Sequence, residues 1–219
     1  MKSYYLFSKD YHSEIRTRYA INSLIMFVIV AVSVILFSIG NERIPGNLTA
    51  GLYWVVIFFS AMSGLGRAFI SEEERGTSMT LQLIASPSTV LSGKIIFNMI
   101  LVFAMNIVIT FIYSILFEEF VIHNHILFII NFILGNFGLA VSATIIAAII
   151  AKAGSKGTLY PVLSFPILLP LILTSAKLTL FSIDGTAIND AVFELAIVAC
   201  YDVIMISASY MLFDFIWKD

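Results

Sequence analysis

Six stretches of about twenty apolar residues, separated by short polar segments, run along the chain at residues 21–39, 50–70, 95–117, 126–150, 159–176 and 191–215. A hydrocarbon core about 30 Å thick is crossed by about 20 helical residues. The pattern therefore predicts an all-α integral membrane protein whose six spans form one polytopic domain. Residues 1–20 follow a different rule. Tyr4, Phe7, Tyr11, Ile15 and Tyr19 recur at helical spacing, while Lys2, Lys9 and Arg16 fall on another face. Aromatic residues opposite lysines suit a helix lying in the headgroup layer, with Glu14 and Arg18 as an i, i+4 supporting pair. An ordinary leader made helical by the following span is the plainer alternative.

Composition agrees with a chain dissolved in lipid. Hydrophobic residues make up 60% and charged residues 12%, with a mean hydropathy of +1.00; a soluble domain carries about twice that charge. The formal net charge of -2 leaves no basic stripe to neutralise phosphates, which argues against nucleic acid. Cys200 is the single cysteine, so no internal disulfide forms. The opening residues are polar and mixed, without the apolar core of a cleavable signal. Of the 12 basic residues all but Arg43 and Lys177 fall before span one, after even-numbered spans, or at the end of the chain. The positive-inside rule then places both termini in the cytoplasm. The loop at residues 118–125, with two acids and no lysine or arginine, falls outside.

The segment from Gly51 to Lys94 carries the most information. Glu72, Glu73 and Glu74 are too costly for hydrocarbon and end the second span near Ile70. Gly76 lets the chain turn, and Thr77 is placed to cap a helix with its hydroxyl. The preceding acids favour the positive end of that helix. Met79, Leu81, Leu83 and Ile84 offer apolar surface over about two turns, and Pro87 stops the helix at or before Ser86. A short helix parallel to the membrane results. It either takes force from a soluble partner or merely shields the base of the bundle.

These residues carry a family resemblance. The acidic cluster, Gly76-Thr77 and Ser86-Pro87 resemble the loop of type-two ABC exporter permeases in which a coupling helix docks on an ATPase subunit. Within that group the chain resembles the cytochrome c biogenesis permeases, the heme exporter protein B (CcmB) family. Similar to that family are residues 14–19, residues 51–60, residues 72–77, Lys156-Gly157 and the run LYPVLSFPILLP at residues 159–170. One departure is that Ser78, Met79 and Thr80 follow Gly-Thr where the commonest family form soon places a glutamate. The resemblance implies a permease subunit in the bacterial inner membrane, not itself an enzyme. It also implies ATP hydrolysis in a separate cytoplasmic ATPase, a second copy of the chain, heme-handling membrane proteins as neighbours, and heme as cargo or as the load of a released carrier. Export of a lipid, glycan or drug, a scaffold that transports nothing, and an ion-coupled carrier using Asp202 remain rival readings.

Other residues bear on mechanism. Asp202 sits in the middle of the last span, where an ionised carboxylate costs about 2.5–3.5 kcal/mol on insertion scales. It should face the bundle, either as a hydrogen-bonded strut with polar partners such as Tyr201, Ser207 or Ser209, or as a coupling carboxylate. Pro161, Pro166 and Pro170 crowd the fifth span, where each removes a backbone donor. They predict a hinge, a broken helix or a fixed kink. Ser60, Ser63 and Gly64, with Gly135, Gly138, Ser142 and Ala143, mark close helix approaches. His123 and His125 could ligate heme, but alternate loop positions favour ordinary interfacial histidines. Asp214, Trp217 and Lys218 form an interfacial belt at the end of the last span. Residues 154–158 lack phosphate-loop spacing, and neither a metal cluster nor a bound cofactor is expected of this chain.

Overall fold

The apolar stretches become the long helices of a bundle. The computed structural model describes residues 2–40, 42–66, 69, 72, 76–152 and 160–218. Among them the helices are α1 (Lys2–Thr17), α2 (Tyr19–Ile39), α3 (Gly46–Leu65), α4 (Ser78–Ile84), α5 (Pro87–Leu116), α6 (His125–Lys152), α7 (Tyr160–Asp184) and α8 (Val192–Lys218), with a 3-10 turn at Ile188–Ala191. No strand occurs among the described residues. Six helices are long and apolar enough to cross a membrane, so the all-α, six-span expectation holds.

Some helices run further than apolarity alone indicated. With 30 residues, α5 starts at Pro87, ahead of residue 95. It is about 45 Å long at 1.5 Å per residue, well beyond a 30 Å core, so part of it stands clear of hydrocarbon. The fifth span continues past residue 176 to Asp184, which puts Lys177 in the body of α7. Its ammonium lies 2.5 Å from Glu194 of α8 and over the Phe181 ring, so the charge has a partner.

Burial ranks the helices. In α6, 78% of the apolar window is buried, against 17% in α2 and 22% in α8, so α6 is the axis of the bundle and the other two face outward. Around α6 pack α5, α7 and α8, while α3 joins α2 to α7 and α1 lies along α5. Small residues set the approach distances. A Cβ on Gly64 would meet the Leu24 side chain at 2.6 Å, and one on Gly135 would stand 2.4 Å from the Trp54 ring. Both glycines were expected contact points. Several polar side chains inside the bundle are bonded to each other or to backbone carbonyls, as burial in an apolar medium favours. Asn98 donates to Thr144 at 2.8 Å, and Asn106 pairs with Asn136, joining α5 to α6. Asn131 donates to Thr179 at 3.1 Å, and the Trp54 indole donates to the same hydroxyl at 2.8 Å, joining α6, α7 and α3. Tyr160 donates to the Ala143 carbonyl at 3.1 Å.

The prolines of α7 do not break it. The helix is continuous through Pro166 and Pro170, which corrects the expectation of a broken helix. Pro161 stands in its first turn, where a missing N–H costs little. Hydroxyls add second bonds to other carbonyls of the helix: Ser164 donates to Tyr160 at 2.6 Å, Thr174 to Pro170 at 2.8 Å, and Tyr201 to Ile167 at 3.1 Å.

Gly135→Ala should lower the thermal midpoint of the purified protein in detergent, through about 1–3 kcal/mol of overpacking. Gly51→Ala meets open space and should stay within about 0.5 kcal/mol. Equal midpoints for the two variants would remove the close-approach account of α3 and α6.

Candidate functional site: the short helix and the ion cluster beside it

Two features of the local sequence produce α4. Gly76 adopts φ +65°, a conformation that costs glycine little, and reverses the chain. Thr77 occupies the N-cap position, but its hydroxyl does not cap the helix. It donates to the Glu72 carbonyl at 3.3 Å, and the Thr77 N–H donates to the same oxygen at 3.0 Å. The expected hydroxyl cap is therefore replaced by two bonds from Thr77 back to the Glu72 carbonyl. After Ile84 the chain extends through Ala85, and Pro87 opens α5 one residue after its N-cap, Ser86. Pro87 thus starts a helix as well as ending one. Ser86 Oγ lies 2.7 Å from Thr89 Oγ1.

The apolar side chains of α4 divide by face. Leu81 is half-buried against the bundle, whereas Met79 is 76%, Leu83 89% and Ile84 66% exposed. Three apolar side chains of this seven-residue helix therefore stand in the open. Its inner side is held by Gln82, whose amide donates to the Trp217 carbonyl at 2.8 Å. An open groove of about 480 Å³ lies between residues 82–87 and Trp217. Trp217 is 5% exposed and stacks on Phe213, and both rings pack against Phe69. That corrects its assignment to an interfacial belt: the end of α8 is a wall of the α4 platform.

Beside α4, Glu72 does not serve as a diffuse negative charge before a helix. It enters a buried cluster with residues of α1 and α5. Glu72 Oε1 accepts from Lys94 at 2.9 Å and from Lys9 at 2.6 Å. Lys94 also lies 3.0 Å from Asp10 Oδ2 and over the Phe69 ring. That Asp10 oxygen has no hydrogen-bond geometry, so its contact with Lys94 is Coulombic. Among the described residues the cluster holds two lysines and two acids. The side chains of Lys94, Glu72 and Asp10 are 6%, 8% and 11% exposed, and removing one partner of such a set strands a buried charge, at about 3–5 kcal/mol. Burial alone would push the Glu72 carboxyl up; the Lys94 charge and the bonds from Lys9 and Lys94 outweigh it and hold the group below the ordinary carboxylate value. Lys9, assigned to the water face of the arm, is thus partly engaged in this cluster. Glu73 and Glu74 lie outside the described residues, as do Arg75 and residues 154–158.

The remaining sequence candidates stand elsewhere. Asp202 faces the bundle as expected, 4% exposed, with its carboxylate against Gly138 and near Leu171. Neither of its oxygens has a hydrogen-bond partner among the described residues. Tyr201 bonds to Ser142 and Ile167, and Ser209 to Met205. The expected hydrogen-bonded strut is therefore corrected: Asp202 fills space at the junction of α6, α7 and α8 without a hydrogen-bond partner among the described residues. His123 and His125 lie at the opposite end of α5 from α4. His123 Nδ1 bonds the Ile183 carbonyl, fastening the loop to the end of α7; His125 is the exposed first residue of α6. No group of three or more metal-binding side chains occurs among the described residues.

Sequence reasoning missed Asp10, Lys94 and the buried asparagines. Lys94 was legible only as a topology marker, although a lysine against the start of an apolar span calls for a counter-charge. The asparagines within spans were a direct signal, because a polar amide in lipid has to find a partner.

A family model described as CcmB protein matches residues 1–212. The chain belongs to the CcmB family. No individually curated protein matches it. The family makes this a multi-pass membrane permease component of the heme-export system of cytochrome c biogenesis, not an enzyme, with an ABC ATPase and other proteins of that system as associates.

Asp202→Leu keeps the branching at Cγ and orphans no polar group. It should therefore leave the thermal midpoint unchanged or higher, within about 1 kcal/mol. A larger loss would reveal a polar partner of the carboxylate.

Proposed function

We propose that the chain is the membrane half of an ABC complex in which α4 receives the ATPase and the bundle passes its motion to heme trafficking, or to release of a heme carrier. The observation that carries this is the exposure of Met79, Leu83 and Ile84 on a helix otherwise fixed to α8 and to Glu72. Apolar side chains on a short, fixed helix outside the spans suit a soluble partner with a complementary cleft. ATP binds to that partner, and this chain holds no cofactor of its own. Two copies serve one complex, because paired ATPase subunits each need a docking helix and this chain supplies one. The protein lies in the bacterial inner membrane with α4 and both termini on the cytoplasmic side, as the basic residues around α1, α4 and the end of α6 favour.

Docking is tested by Leu83→Asp combined with Ile84→Asp, both at exposed positions. ATPase recovered with the tagged permease from membranes should fall more than tenfold while the permease stays folded. Undiminished recovery would take α4 out of the interface. Leu81→Asp is the wrong probe, because that side chain packs against the core.

Orientation is tested with single cysteines in a Cys200→Ser background. Glu118→Cys should react with an impermeant maleimide added outside, and Lys152→Cys only after permeabilisation; both positions are exposed. The reverse pattern would invert the topology.

A further inference from the structure

α4 is too short to hold its own place. Seven residues form fewer than two turns, and isolated helices of that length are not stable in water. With much of its apolar surface open, its position depends on the links that tie it down. One is Gln82 to the end of α8, and another is the half-buried Leu81. The third begins at Thr77, whose carbonyl accepts the Leu81 N–H at 3.1 Å and whose N–H and hydroxyl both return to Glu72. The Glu72 carboxylate is in turn bound by Lys9 of α1 and Lys94 of α5.

α1 is joined just as tightly to the first span. Arg18 is the only residue between α1 and α2 and adopts φ +51°, a left-handed joint without slack. Its N–H donates to the Glu14 carbonyl at 2.6 Å, and the Glu14 carboxylate accepts from the Ile21 N–H at 3.0 Å, satisfying a free donor at the start of α2. Short polar links thus run without a gap from α4 through Glu72 to α1, and from Glu14 into α2. A parallel branch runs from Glu72 through Lys94 into α5.

We propose that Asp10 and Lys94 are positioning residues for the docking helix, and that α1 and α4 move as one body. Asp10 faces Lys94 from α1 and holds it for Glu72, and Glu72 fixes the loop on which α4 begins. A push on α4 then reaches the first span through α1 as well as the third span through α5. An ion cluster suits this role because separating its members strands charge in a low-dielectric site, so the contact gives way as a unit rather than sliding. The proposal rests on the reading of α4 as the docking helix, but its test does not need the ATPase.

Spin labels at His12→Cys and Leu83→Cys, both exposed positions, report the distance between α1 and α4 in the full chain, carried in lipid nanodiscs with Cys200→Ser. The distance distribution should be narrow. Lys94→Met combined with Glu72→Gln removes one charge of each sign, so the net charge is unchanged and Lys9 stays beside Asp10 at 3.7 Å; it should broaden the distribution clearly. Lys94→Arg, which keeps the charge, should restore the narrow form. A distribution unchanged in this double variant would overturn the proposal. So would equal broadening in Lys94→Arg, since packing rather than charge would then set the distance. ATPase binding that survives Leu83→Asp with Ile84→Asp would instead refute the docking reading and leave these distances as they are.

Discussion

A charge withdrawn from water has to meet its opposite, and the base of this bundle is built around that requirement. Lys94 enters at the start of a long apolar helix, where an unpaired ammonium would be costly. Glu72 and Asp10 answer it from two other segments. Satisfying one lysine therefore fixes the loop after α3, the arm α1 and the head of α5 against each other. The position of α4 follows, because its first turn is closed on the same glutamate. The aromatic wall of Phe69, Phe213 and Trp217 completes the platform from the side of α8.

Away from that base the bundle is held by a different device. Asparagine, threonine and tyrosine side chains join α3, α5, α6 and α7 at several depths. Bonds of this kind do not slide in lipid, where a lost partner is not replaced by water. α2 meets the rest through Leu24 packed on Gly64 and through Ser23, 2.5 Å from Ser63. The loop between α5 and α6 is folded in: Phe117 and Phe120 are buried among Tyr53, Tyr113 and Phe128. Stitched central helices with α2 at their edge would let force at α4 act on the periphery while the core keeps its shape.

Much of this was legible in the sequence. Six apolar runs gave six spans, because twenty apolar residues have little choice in lipid. Gly76, Thr77 and Ser86-Pro87 marked the ends of α4, since a positive φ and a missing N–H are properties of single residues. The partners of Glu72 were not legible. Asp10 and Lys94 lie 62 and 22 positions away from it, and nothing local says which acid meets which lysine. Trp217 was misplaced for a related reason: an aromatic residue near a helix end suits a headgroup belt and a protein interface equally well, and only Phe69 and Phe213 decide between them. Asp202 was read correctly as facing inward, but whether a polar group faces it depends on residues from α6 and α7.

The central claim is that α4, positioned by Glu72, is where the ATPase pushes. Electron cryo-microscopy of the native complex in lipid nanodiscs tests it most directly. The account predicts ATPase density over Leu83, Ile84 and the groove beside Trp217, with α1 still joined to the loop at Glu72 and Lys94. ATPase density seated elsewhere, with α4 facing lipid or open water, would contradict it.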